Sequence, residues 1–180
     1  MLLRVAALSP SPQVTALLAP RCCLMSGIPS LPEAAASQLA AVSGDASSAQ
    51  ELASCKIGGC CGRDTPLLPA DVVAARLPFL PDWALSDDGK AISRSFVAKN
   101  WGAAMAFINA ASEVCEDEGH HPDLHLTNWR DVRVVLSTHA VGGLTLPDLV
   151  LAAKLDTVEV EYSPKWLKQR QAQAAAAAGS

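Results

Sequence analysis

Between positions 83 and 138 the chain alternates apolar and polar residues in short runs, and on either side of these runs the apolar residues recur at helical spacing. Pro69-Ala-Asp-Val-Val-Ala-Ala-Arg-Leu places Val72, Val73, Arg76 and Leu77 on one helical face and stops at Pro78. Trp83-Ala-Leu-Ser and Lys90–Val97 are predicted as two strands joined across Asp87-Asp88-Gly89, because Asp-Gly favours a tight hairpin. In the second, Ile92, Arg94 and Phe96 share a face; an arginine among apolar neighbours suggests a strand near the sheet edge. Asn100 is placed to cap a helix over Trp101–Glu118, with Trp101, Ala104, Met105, Ile108, Ala111 and Cys115 as its buried stripe and Gly119 as its stop. Leu124 and Leu126, then Val132, Val134, Leu136 and Thr138, predict two further antiparallel strands turning around Asn128–Asp131. Thr145-x-x-Asp148 has the form of a capping box and opens a last helix over about Leu146–Val160. The predicted order is α-β-β-α-β-β-α, an α+β fold of two layers: a four-stranded antiparallel sheet with helices on one face.

The flanks read differently. Residues 1–32 hold no acid but carry Arg4, Arg21 and many Leu, Ala, Ser and Pro, the composition of an organelle transit peptide. Mitochondria are favoured over plastids, and initiation at Met25 would leave the product in the cytosol. Residues 33–65 read as a flexible Ala/Ser/Gly/Cys linker, residues 66–162 as the folded domain, and residues 163–180 as a basic, then polyalanine tail. No apolar run approaches the roughly 20 residues of a spanning helix, and a net charge of −4 gives no reason to expect nucleic-acid or membrane-surface binding. Five of six cysteines (Cys22, Cys23, Cys55, Cys60 and Cys61) precede the domain. They make neither a disulfide framework nor a paired metal-ligand spacing, and they read as free thiols of a reducing compartment.

All four histidines (His120, His121, His125 and His139) fall within 20 residues, beside Glu116, Asp117, Glu118 and Asp123. Three readings fit that cluster. Histidines can be hydrogen-bonded spectators, which suits His125. They can bind metal, with His120, His121, His139 and Glu116 as ligands, although no HxxxH or HExxH helical signature is present. Or they can give and take protons around a flat substrate without metal, since imidazole titrates near neutral pH. Glu116, one helical turn before His120, is placed to orient an imidazole.

The pattern Glu116-x3-His120-His121-Pro122-x6-Trp129-x9-His139-x8-Asp148 resembles the signature of the pterin-4a-carbinolamine dehydratases, of the plant and algal type. Ser137-Thr138-His139, Gly142-Gly143-Leu144-Thr145 and Leu151-Ala-Ala-Lys154 add to the resemblance, which covers about Pro66 to Val160. It implies dehydration of 4a-hydroxytetrahydropterin to quinonoid dihydropterin, without metal or other cofactor, recycling the pterin used by an aromatic amino acid hydroxylase. It implies His120, His121 and His139 as catalytic residues, Pro122, Thr138, Ala140 and Val141 as pterin-pocket residues, and Glu116 as an orienting group. A homodimer or homotetramer is implied as well. The same fold also serves non-catalytic binding and assembly factors, including Rubisco-assembly types, but such a scaffold has no need of the histidines. Because polar groups at a pocket mouth rarely hold a core together, replacing His120, His125 or His139 is expected to leave folding intact.

Overall fold

A computed structural model describes residues 48–57 and 62–178. The acid-free leader and Cys22, Cys23, Cys60 and Cys61 lie outside the described residues. The elements follow in the order α1 (Ala49–Ser54), α2 (Ala70–Arg76, continued by a 3-10 turn Leu77–Phe79), β1 (Ala84–Leu85), β2 (Ile92–Val97), α3 (Trp101–Glu118), β3 (Asp123–Thr127), β4 (Asp131–Leu136), α4 (Leu146–Asp156) and α5 (Pro164–Ala178). The four strands form one antiparallel sheet in the order β1-β2-β4-β3, the predicted α+β architecture.

Register explains why one face is covered. Ile92, Arg94 and Phe96 of β2 sit opposite Leu136, Val134 and Val132 of β4, and all six are buried. Phe107 of α3 meets Phe96 edge to face at 4.9 Å, and Leu149, Leu151 and Leu155 of α4 complete the core. On the other face Ser95, Arg133, Asp123, His125 and Thr127 are exposed. Asn100 caps α3 through Oδ1, which accepts from the Ala103 N–H at 2.8 Å, and Gly119 ends it in the left-handed region at φ 64°.

β2 lies near the edge as expected, between the edge strand β1 and β4, and Arg94 is buried there with its guanidinium held by several partners. It donates to the Leu155 carbonyl (3.2 Å) and the Tyr162 hydroxyl (2.7 Å), and pairs with Asp156 at 3.0 Å. The stripe of α3 is rotated from the predicted one: Trp101 is half exposed at 54%, whereas Phe107, absent from that stripe, is buried. The segment read as a linker contains α1, whose Leu52 is 1% exposed and packs against α4. The tail after Ser163 is helical: α5 docks its first turns through Trp166, stacked on Tyr162 at 5.1 Å, and Arg170, paired with Asp82.

Candidate active site

Each of the three site histidines meets a carboxylate of its own. His120 follows the Gly119 cap, so the chain turns out of α3 and directs its imidazole inward. Nε2 lies 2.8 Å from Asp148 Oδ1, and both side chains are buried. Asp148 is held in turn by the N-terminal turn of α4. Its Oδ2 accepts from the Thr145 backbone N–H at 2.8 Å, and the hydroxyls of Thr138 and Thr145 lie 2.9 and 3.1 Å away. Those two hydroxyls are 2.7 Å apart. The capping box is present, but its acid has a second partner that the local pattern does not disclose.

The other two pairs are open to solvent. His121 Nε2 lies 3.2 Å from Glu116 Oε1, five residues back across the end of α3. His139 Nε2 lies 3.4 Å from Asp123 Oδ2 at the start of β3, with the imidazole 73% exposed. The three pairs are neighbours through the chain. Asp148 bonds Thr138, the next residue is His139, and His139 meets Asp123, two positions past His121. The turn that presents His139 is closed by the N–H groups of Val141 and Gly142, which donate to the Thr138 carbonyl at 3.1 and 3.0 Å. Gly143 passes so close to Leu67 that a Cβ there would sit 2.8 Å from Leu67 Cδ2.

Of the expected pocket residues, Pro122 and Val141 are half-buried and Ala140 is exposed beside His139. The Thr138 side chain is 2% exposed and is spent on Asp148 and Thr145. His125 stands on the open sheet face opposite Arg133, two residues along β3 from Asp123. Shallow grooves of about 250 and 190 Å³ occur near Trp166, Val97 and Asp131, and neither is lined by a histidine. Two groups of this region were missed from sequence, Asp148 as a partner of His120 and Asp123 as a partner of His139. The signal available for Asp148 was an acid inside a strongly apolar helix start, Leu146-Pro-Asp-Leu-Val-Leu.

A family profile described as pterin 4 alpha carbinolamine dehydratase matches residues 66–158, just over half of the chain. The chain belongs to this dehydratase family. Among its relatives, the mitochondrial pterin-4-alpha-carbinolamine dehydratase 2 of Arabidopsis thaliana is 34% identical over 62% of this chain and 60% of its own length. The chain thus spans less than two thirds of that plant relative. Putative pterin-4-alpha-carbinolamine dehydratases of Paracoccus denitrificans and Nocardia farcinica are 43% and 44% identical, over 84% and 94% of their lengths. A solved structure from Brucella melitensis, described as a transcriptional coactivator/pterin dehydratase, is 30% identical over 52% of this chain and 98% of that one, with a TM-score of 0.49. The profile begins at residue 66, so the dehydratase family match leaves α1 outside it.

Proposed function

We propose that the protein dehydrates a 4a-hydroxytetrahydropterin by histidine acid–base catalysis. In this reaction the C4a–O bond breaks, N5 loses its hydrogen and a C4a=N5 double bond forms, giving quinonoid dihydropterin and water. One imidazole gives a proton to the departing hydroxyl while another accepts the N5 proton, so no net proton is consumed. What carries the reading is the set of three histidine–carboxylate pairs linked along the chain, one buried and two at the surface. Asp148 holds His120 by one nitrogen, and Glu116 and Asp123 each face an imidazole open to solvent, His121 and His139. Pro122, Ala140 and Val141 supply the rim against which the flat pterin lies, and Thr138 acts from beneath through Asp148. A non-catalytic scaffold would gain nothing from keeping three such pairs.

No metal or further cofactor is needed in this scheme, because imidazoles handle both the proton given to the hydroxyl and the proton taken from N5. The test is the dehydration rate of the full chain before and after exhaustive chelation. Acceleration that survives chelation is expected. Absence of acceleration rejects the reading, and activity that is lost with EDTA and restored by zinc or iron replaces it with a metal mechanism.

The biological setting follows from the same reading. The pterin product would return to an aromatic amino acid hydroxylase after reduction. The acid-free leader, together with the mitochondrial plant relative, supports an organelle address, with the mitochondrion favoured. A fluorescent protein fused to residues 1–32 should enter that organelle, and diffuse cytosolic signal would reject the address. β3 is an edge strand and Val135 lies on the uncovered sheet face, so a homodimer or a dimer of dimers is the proposed assembly. A stable monomer at micromolar concentration in sedimentation would reject it.

A further inference from the structure

Glu118 is the last residue of α3, two positions before His120, and it is buried at 4% exposure although its neighbours Glu116 and Asp117 are exposed. Its carboxylate is divided between two partners from distant parts of the chain. Oε2 accepts the Ile57 backbone N–H at 2.8 Å, and Oε1 accepts from Lys154 Nζ at 2.6 Å. The end of α3 is therefore joined to α4 by two rungs, His120–Asp148 and Glu118–Lys154, on either side of the Gly119 cap. Six residues of helix separate the two attachment points on α4, about 9 Å of rise. A single rung would leave the helix end free to pivot; two fix its direction, and with it the position from which His120 and His121 depart.

The third attachment comes from residues that precede the family match. Ser48 caps α1, Leu52 is buried against α4, and Ile57 is 5% exposed. This short segment thus buries two apolar side chains and ends by donating its backbone N–H to Glu118. A six-residue helix is too short to be stable on its own, so it is held by these contacts. They fasten it to the two helices that carry His120 and Asp148. Burial pushes the Glu118 carboxyl up, but the Ile57 amide and the Lys154 ammonium outweigh it and hold the group below the ordinary glutamate value.

We propose that residues 48–57 form a positioning strap, and that Glu118 is the positioning residue through which the strap and Lys154 fix the His120-His121 end of α3 for catalysis. The kinetic part of this inference rests on the dehydratase reading; the structural part does not. Small displacements matter at such a site, since misplacing a catalytic group by about 1 Å can cost roughly 100-fold in rate.

The test is made on the full chain with Glu118→Gln, which keeps the shape and removes the charge, and with Leu52→Ala, which loosens the strap but leaves Glu118 and Lys154 in place. Glu118→Gln is expected to lower kcat roughly tenfold or more with KM nearly unchanged, and to shift the imidazole nitrogen NMR signals of His120. Leu52→Ala is expected to act in the same direction and less strongly. Glu113→Gln, on an exposed position of the same helix, should change neither. A Glu118→Gln protein with a lower melting temperature but unchanged kcat, pH–rate profile and His120 signals would overturn the proposal in favour of a purely structural ion pair. If Glu118→Gln does not fold, Leu52→Ala decides, and unchanged His120 signals there overturn it. If the wild-type chain shows no dehydratase activity, that reading fails while the His120 signals still report on the strap.

Discussion

Helix α4 carries a paired aspartate at each end, Asp148 fully buried and Asp156 with 25% of its side chain exposed. Asp148 lies in its first turn against His120, and Asp156 is its last residue, against Arg94. A carboxylate suits the first position, where the helix N-terminus is partly positive, and is poorly suited to the second. Asp156 is offset by a permanent cation and by the Trp83 indole N–H, which donates to it at 3.0 Å. Burial, with Asp82 adding, still raises its pKa against the opposing pull of Trp83, Arg94 and Arg170. At that end every partner is fixed: Arg94 also reaches the Leu155 carbonyl and Tyr162, and lies over the Phe96 and Phe107 rings at 5.5 and 6.0 Å. At the His120 end the partner is an imidazole, and Asp148 also bonds Thr138, the residue before His139 of the exposed His139–Asp123 pair. A buried ion pair therefore does not mark a site by itself. What distinguishes the site is an imidazole in place of a permanent cation, a side chain type that can both give and take protons, next to others that solvent can reach.

The largest effect that sharpens this contrast is expected at the exposed pair. His139→Ala should lower the dehydration rate roughly 10²–10⁴-fold, the usual contribution of a proton-transfer group, with the melting temperature almost unchanged. Arg94→Ala should show the reverse. Removing one partner of a buried pair costs roughly 3–5 kcal/mol of stability, visible in urea unfolding, while the rate per folded molecule stays near wild type. Loss of catalysis in Arg94→Ala without loss of stability would erase the distinction between the two ends.

Acid gives a smaller and more selective effect. The folded-state pKa of Glu118 is depressed, so its contribution to stability is complete above the unfolded value near 4.5 and is lost as pH falls through the lower folded value. Asp156 has the opposite sign: its folded pKa is raised, so ionisation costs stability as pH rises through that value. Urea unfolding of wild type and Glu118→Gln should differ at neutral pH, and the gap should close as the carboxylate protonates. A gap that stays constant to the lowest accessible pH contradicts the assignment. The smallest effects are expected at His125 and Cys115. His125→Ala, on the open sheet face, should change the rate less than about threefold, against at least 100-fold for a catalytic histidine. The Cys115 thiol, pushed up to about 11 by burial and by Glu116, should resist alkylation at neutral pH in the folded protein.

Much of the fold was legible because strand and helix periods are local. The β2 and β4 faces, the Asn100 and Gly119 caps and the Thr145–Asp148 box all follow from residues close in sequence. Failures came where a distant partner decides. Arg94 looks misplaced on an apolar face until Asp156, Leu155 and Tyr162 close around it. Trp101 looks like core until Phe107, six residues on, takes the contact with Phe96. Leu52 and Ile57 have no periodic neighbours, so the strap looked like a linker. At the site, the histidines and Glu116 were singled out by clustering, but the burial of His120 was not. That burial removes the ground for expecting its replacement to leave folding untouched, because without the imidazole Asp148 Oδ1 loses its bond from His120 beneath the surface. His139, exposed, keeps the original expectation.

His120 is therefore the residue on which structure and chemistry meet, and its variant must be measured per folded molecule. The most direct experiment is the single-turnover dehydration of 4a-hydroxytetrahydropterin by His120→Ala, corrected for the folded fraction from unfolding curves at the same temperature. The expected result is a rate at least roughly 100-fold below wild type in protein that is destabilised but still cooperative. A destabilised protein whose folded fraction works at the wild-type rate would show that His120–Asp148, like Arg94–Asp156, only holds the fold together.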